Sequence, residues 1–110
     1  MWAERVDADE VVFHAMHPGW ADTPGVEASL PTFRKIVGPL LRSAEEGADT
    51  MVWLAADEGE PATSSGEFWL DRRRRSIHKI GKTRKTDTAE RRRDLWNWVV
   101  EQSGADVAPW

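Results

Sequence analysis

Val11-Val12-Phe13-His14-Ala15-Met16-His17-Pro18-Gly19-Trp20-Ala21-Asp22-Thr23-Pro24 is the stretch on which the fold turns. Residues 11–17 form a nearly continuous apolar run with a β-branched start and no polar alternation. Such a run predicts an interior parallel strand covered on both faces. Pro18-Gly19 ends it, because Pro brings no N–H to a ladder and Gly permits the turn. Upstream, Met1-Trp2-Ala3-Glu4-Arg5 reads as the tail of a helix. Downstream, residues 20–30 read as a loop holding Asp22, Pro24 and Gly25.

Beyond the loop, Leu30, Phe33, Ile36, Val37, Leu40 and Leu41 fall on one face at helical spacing, and Gly38-Pro39 bends or ends that helix. Ser43 and Glu46 predict a capping box, with Ala44, Ala48, Met51, Val52 and Ala55 along one face of the helix that follows. Gly47 inside it costs about 1 kcal/mol against Ala, which predicts a close approach of a neighbouring backbone. Glu67-Phe68-Trp69-Leu70 is a short strand, and residues 72–86 read as a basic, irregular connection. The last helix opens near Asp87, with Glu90 as its capping-box partner, presents Leu95, Trp98 and Val99 on one side, and ends at Gly104.

Two strands separated by some fifty residues of helical crossover pair in parallel, as in a βαβ unit. The predicted class is therefore α/β, with helices at about 43–56 and 87–103 packed on strands 11–17 and 67–70. Two strands alone do not make a stable sheet. Residues 1–110 thus read as a single unit that is incomplete as a fold.

Composition narrows the function. A hydrophobic content of 40% is not that of a disordered chain. The absence of cysteine excludes a disulfide framework and a thiolate zinc site, and makes a cytoplasmic location the default. The apolar runs are too short to span a membrane, and Glu4, Asp7, Asp9 and Glu10 do not suit a signal peptide. His14 and His17 lie three apart, on opposite faces of a strand, so they share no metal and read as packing or loop hydrogen bonds. The net charge of −4 divides unevenly: residues 1–71 carry 14 acidic and 4 basic side chains, residues 72–110 carry 5 and 11. Eight of those cations lie in the fourteen residues 72–85, enough to track a phosphate backbone. No aromatic interleaves the run, which favours a solvated extension over nucleic-acid binding.

The motifs resemble those of the short-chain dehydrogenases/reductases. His17-Pro18-Gly19-Trp20-Ala21-Asp22-Thr23-Pro24 resembles the Pro-Gly motif after that family's sixth strand. Residues 45–55 resemble the helix before the last strand in its retinol-dehydrogenase-like members, and Ser65-Gly66-Glu67-Phe68-Trp69-Leu70-Asp71 looks like the seventh strand. The resemblance implies the C-terminal part of a Rossmann-type, doubly wound parallel sheet that binds NAD or NADP at its strand ends. It implies that Pro18, Gly19 and Trp20 approach the nicotinamide carboxamide and that Thr23 supplies a hydroxyl. It also implies that residues 20–42 form a substrate lobe, with Trp20, Phe33 and Leu40 as an apolar wall against a small carbonyl or alcohol.

The departures matter as much. The family's glycine-rich cofactor turn is absent, and so is its catalytic Tyr, because the chain has no Tyr at all. The resemblance places that Tyr, and a Lys four residues on, in the helix whose stub is Met1 to Arg5. The expectation is a C-terminal segment of an oxidoreductase, a product of a misplaced start, that carries no catalytic residue and does not hold NAD or NADP tightly. Two other readings stand beside it: a non-catalytic remnant docking on another chain through an exposed sheet edge, and a nucleic-acid module built on residues 72–85.

Overall fold

A computed structural model describes all 110 residues. After a single 3-10 turn at Trp2–Glu4 come strand β1 (His14–Met16), helices α1 (Pro24–Ser29) and α2 (Pro31–Val37), and a 3-10 turn at Gly38–Leu40. Helix α3 (Ala44–Ala56), strands β2 (Glu67–Leu70) and β3 (Arg73–Arg74), and helices α4 (Gly81–Thr86) and α5 (Ala89–Ser103) complete the chain. The sheet order is β1-β2-β3. β1 and β2 are parallel, with His14 opposite Glu67 and Met16 opposite Trp69. The α/β class and the parallel pair are as the sequence predicts. The regular strand is shorter than residues 11–17, yet Gly66 N–H donates to Phe13 O (2.7 Å) and His17 N–H to Trp69 O (2.9 Å), so the ladder reaches both ends of the apolar core of the run.

The segment 72–86 is not irregular. Asp71 and Arg72 both take positive φ (56° and 53°), the geometry of a tight hairpin turn, and fold Arg73–Arg74 back antiparallel on β2. Two contacts hold Arg72 in that unfavourable conformation: its N–H donates to Thr50 Oγ1 (3.3 Å), and its guanidinium is bidentate on Asp49. Residues 81–86 then form α4. The loop 20–30 likewise contains α1, because Thr23 caps it by accepting from Val26 N–H (3.3 Å) and Pro24 suits the first helical position.

The capping box of α3 forms as predicted, with Ser43 Oγ accepting from Glu46 N–H and Glu46 accepting from Ser43 N–H. Its packed face differs from the one expected. Gly47 and Thr50 are buried and Trp53 and Leu54 half-buried, whereas Met51, Val52 and Ala55 face outward. Gly47 decides the rotation: a Cβ there would lie 3.0 Å from Ala21 Cβ and 3.8 Å from Pro18 O, so only glycine lets the turn after β1 lie against the helix.

Helix α5 departs further. Its cap is Thr88, accepting from Arg91 N–H, and not Asp87. Asp87 closes α4 instead, and its carboxylate meets His78 Nε2 (3.0 Å). Leu95, Trp98 and Val99 are exposed, and Trp96 is buried. α5 packs not on the strands but on the chain ends. Trp96 meets Trp2 edge-to-face (4.7 Å), lies under the Arg5 guanidinium (4.5 Å) and donates to Ala108 O (3.1 Å). Gly104 ends the helix at φ 63°, as expected.

The core is small. Trp69 is fully buried, flanked edge-to-face by Trp53 (5.2 Å) and His14 (5.4 Å). Only five residues in all are buried, and the radius of gyration is 17.3 Å, against about 13 Å for a compact domain of this length. The outer edge of β1 has no strand beside it, and Ala15 is exposed. The architecture is a partial Rossmann-like fold. No helix is long and apolar enough to cross a membrane.

Candidate functional site

Because β1 and β2 run parallel, their C-terminal ends share one rim, the place where open α/β sheets bind ligands. A cleft of about 940 Å³ opens at that rim. Gly19 and Trp20 form one lip, Leu40 comes from the lobe, and Phe68 and Leu70 come from β2.

The turn after β1 is closely determined. Gly19 takes φ 80°, a conformation that favours glycine, and a Cβ there would lie 2.8 Å from the Arg42 guanidinium. Its N–H donates to His17 Nδ1 (2.9 Å), which leaves the ring proton of His17 on Nε2. His14 Nε2 meets Pro61 O (3.0 Å). Both histidines therefore make local hydrogen bonds, the plain role expected of them. Trp20 N–H has no hydrogen-bond partner. Thr23 Oγ1 spends a lone pair on the α1 cap and keeps its proton to donate.

The lobe leaves and returns at one point. Arg42 N–H donates to Trp20 O and Asp22 N–H to Arg42 O, both 2.8 Å, so residues 23–41 are an excursion closed at its base. Inside it, Arg34 is bidentate on Asp22 (2.7 and 2.9 Å), and this contact holds the Asp22 carboxyl below the usual carboxylate range. The hydrogen bond from Arg42 does the same for Asp71.

The wall expected from Trp20, Phe33 and Leu40 is only partly assembled. Trp20 and Leu40 line the cleft, strongly exposed at 66% and 81%. Phe33 stands behind Trp20, ring centroids 5.2 Å apart, and supports it without facing the cleft. Sequence reasoning missed Arg42 as a residue of the site, and it missed that Arg75, Ser76, Ile77 and Lys79 line the cleft too. Charge alone singled out the run containing Arg75. Nothing in the spacing signalled that a hairpin folds it over the strand ends.

No family model matches the chain. Dehydrogenase/reductase SDR family member 12 of Homo sapiens is 48% identical over 77 residues, and that of Bos taurus 46% over 77. Each alignment covers 70% of this chain and 24% of the relative, so the chain spans about a quarter of the length of these relatives. A Streptomyces protein named as a daunorubicin C-13 ketoreductase is 39% identical over 64 residues, 58% of this chain and 22% of that protein. No solved structure matches. The order of motifs, the parallel strand pair and these relatives agree: the chain belongs to the short-chain dehydrogenase/reductase superfamily, as a C-terminal portion of such a protein.

Proposed function

We propose that this chain is the segment of an NAD(P)-dependent carbonyl or alcohol oxidoreductase that carries the nicotinamide turn and the substrate lobe. The observation that carries the reading is the unengaged Trp20 N–H beside Gly19 in the cleft where the two parallel strands end, three residues before a Thr23 hydroxyl whose proton is free; Thr23 itself does not line the cleft. A nicotinamide carboxamide offers one acceptor and two donors. Trp20 N–H and Thr23 Oγ1–H suit its oxygen, and Pro18 O, which holds only a long contact to Arg42 (3.5 Å), suits its amide protons. These groups match the carboxamide's acceptor and donors in kind, which supports the reading, and Gly19 keeps the approach free of a side chain. When bound, the nicotinamide would supply or take the hydride. Trp20 and Leu40 would exclude water from the reacting carbon, and Phe33 would hold Trp20 in place. The ketoreductase name of the Streptomyces relative supports a carbonyl as the substrate group.

This chain alone is inactive in the reading. It has no Tyr to act as proton donor and no closely spaced glycines to cradle a pyrophosphate. A cytoplasmic location goes with the reading, and nucleic acid does not, since Arg72 and Arg74 are committed to Asp49, Glu60 and Glu67. The test is a titration of the ¹⁵N-labelled chain with millimolar NADPH. The amides of Trp20 and Thr23 should shift, and Thr23→Ala should weaken the response. Shifts confined to α5 would overturn the reading.

One observation favours a second reading, docking onto another chain. The outer edge of β1 is unpaired and α3 turns Met51 and Val52 outward. Sedimentation of the pure chain as a monodisperse monomer across micromolar concentrations would count against it.

A further inference from the structure

The four consecutive arginines Arg72 to Arg75 are not one patch. The hairpin sends Arg72, Arg74 and Arg75 to different places, and Arg73 has no ion-pair partner. Arg72 goes to Asp49 on α3. Arg74 goes to Glu60 and Glu67 and lies over the Trp69 ring (5.5 Å). Arg75 goes to the cleft, and with it Lys79. Neither Arg75 nor Lys79 has a carboxylate within ion-pair distance, although the chain holds 19 acidic residues. The third cation at the cleft, Arg42, is already neutralised by Asp71. No carboxylate lines the cleft, and Asp71, whose hydrogen bonds go to Arg42, is the acid whose field reaches Arg75.

Their bases are held. Arg75 N–H donates to Phe68 O (2.8 Å), which carries the β2 hairpin one residue past β3. Ser76 Oγ accepts from His78 N–H (3.1 Å) and closes a small turn, and His78 is tied in turn to Asp87 (3.0 Å). Ile77, between the two cations in sequence, lines the cleft as well. Trp20, Leu40, Phe68 and Leu70 supply apolar lining, Phe68 beside Arg75 in the hairpin. An open cleft that combines several apolar side chains with Arg75 and Lys79 matches a ligand with an apolar body and one anionic group.

We infer that the substrate of this cleft carries a carboxylate or phosphate ester, held by Arg75 and Lys79. The inference deepens the oxidoreductase reading and rests on it for calling the ligand a substrate. The binding itself is measurable without cofactor, so failure of the Thr23 test and failure of this one are separate results.

The experiment follows the Ile77 methyl resonances of the 110-residue chain during titration with phenyl phosphate, benzoate and the neutral benzyl alcohol. Both anions should shift Ile77 at millimolar concentration, and benzyl alcohol should bind about tenfold or more weakly, since charge-assisted hydrogen bonds are the strong ones. Arg75→Gln with Lys79→Gln should weaken anion binding about tenfold, on the same grounds. Arg75→Lys should keep most of it, and Lys82→Gln with Arg84→Gln on α4 should leave it unchanged. Retained shifts of the α3 amides in each variant report that the fold is intact. Equal binding of benzyl alcohol, or indifference to Arg75→Gln with Lys79→Gln, would overturn the inference. So would an Arg75-dependent shift of Ile77 by NAD⁺ equal to that by phenyl phosphate, for the anion would then be the cofactor's pyrophosphate.

Discussion

Arg42 grips Asp71 through two hydrogen bonds, 2.5 and 3.1 Å long, joining residues 29 apart in sequence. One partner stands where the 23–41 excursion rejoins the body and the other opens the β2–β3 hairpin. The pair therefore fixes the two walls of the cleft relative to each other. Its disruption should act on the site more than on the fold. Arg42→Ala is expected to leave the β1–β2 pairing intact and to broaden the amide resonances of Trp20 and Ile77. Sharp, unmoved resonances at both would deny the pair that role.

The same contact has a pH signature. The hydrogen bond from Arg42 lowers the Asp71 pKa below the ordinary carboxylate value of about 3.9. Arg34 lowers Asp22, and Arg72 lowers Asp49, in the same way. A carboxyl whose folded pKa is depressed contributes stability that is complete above its unfolded pKa. That contribution is lost as pH falls through the folded value. Thermal stability should therefore be flat from neutral pH down to about pH 5, then fall below about pH 4 as these three ion pairs are protonated. In Asp71→Asn the acid limb should be shallower. An unchanged limb would exclude Asp71 from it.

Gly47→Ala sets two effects against each other. The methyl gains about 1 kcal/mol of helix propensity. It also meets Ala21 Cβ at 3.0 Å, beside the backbone of Pro18, and neither neighbour has a flexible end to move. Overpacking of this kind costs about 1–3 kcal/mol, so the net change should be destabilising and should displace the turn that bears Trp20. Adding Ala21→Gly opens the space, and the double variant should recover stability beyond additivity in a thermal-melt cycle. Strict additivity would show that the contact is not felt.

How far the sequence could be read follows a physical line. Local signals were legible: the Pro18-Gly19 stop, the Ser43/Glu46 capping box, the close approach at Gly47 and the left-handed Gly104. Each depends on a few neighbouring residues. The outward rotation of Met51 and Val52 was not legible, because the packed face of α3 is chosen by Ala21 and Pro18 far along the chain. Nor was the hairpin, whose Asp71-Arg72 turn lacks the glycine that usually marks one and is held by Asp49 and Thr50 from another helix. At the site, the motif and the helical spacing single out Gly19, Trp20 and Leu40, and the structure places all three around the cleft. Arg75 and Lys79 were seen only as charge, since ion-pair partners are not written in spacing.

The start of α5 tests that boundary at one-residue precision. Thr88→Ala removes a cap and should destabilise the helix by about 1 kcal/mol, with faster exchange of the Arg91 amide. Asp87→Ala should leave that amide protected and release His78 instead. The reverse pattern would restore Asp87 as the cap.

Trp69 is the single large side chain at the centre of the sheet, at 0% exposure. Replacing such a residue with Ala costs about 3–5 kcal/mol. With so few buried residues, Trp69→Ala should show no cooperative thermal transition by circular dichroism. A melt resembling the parent's would mean that the aromatic cluster around Trp96 holds the chain together.

The central claim is that this chain carries the nicotinamide turn of an oxidoreductase without the groups that bind the rest of the dinucleotide, and calorimetry tests it directly. Trp20 N–H, Thr23 Oγ1–H and Pro18 O offer two or three hydrogen bonds, each worth about 1 kcal/mol net. That sum falls short of the roughly 4 kcal/mol that a millimolar affinity requires. Titration of the 110-residue chain with NADH or NADPH is therefore expected to give a dissociation constant weaker than about 1 mM. A micromolar constant that Thr23→Ala abolishes would contradict the account, because this chain would then hold a complete cofactor site by itself.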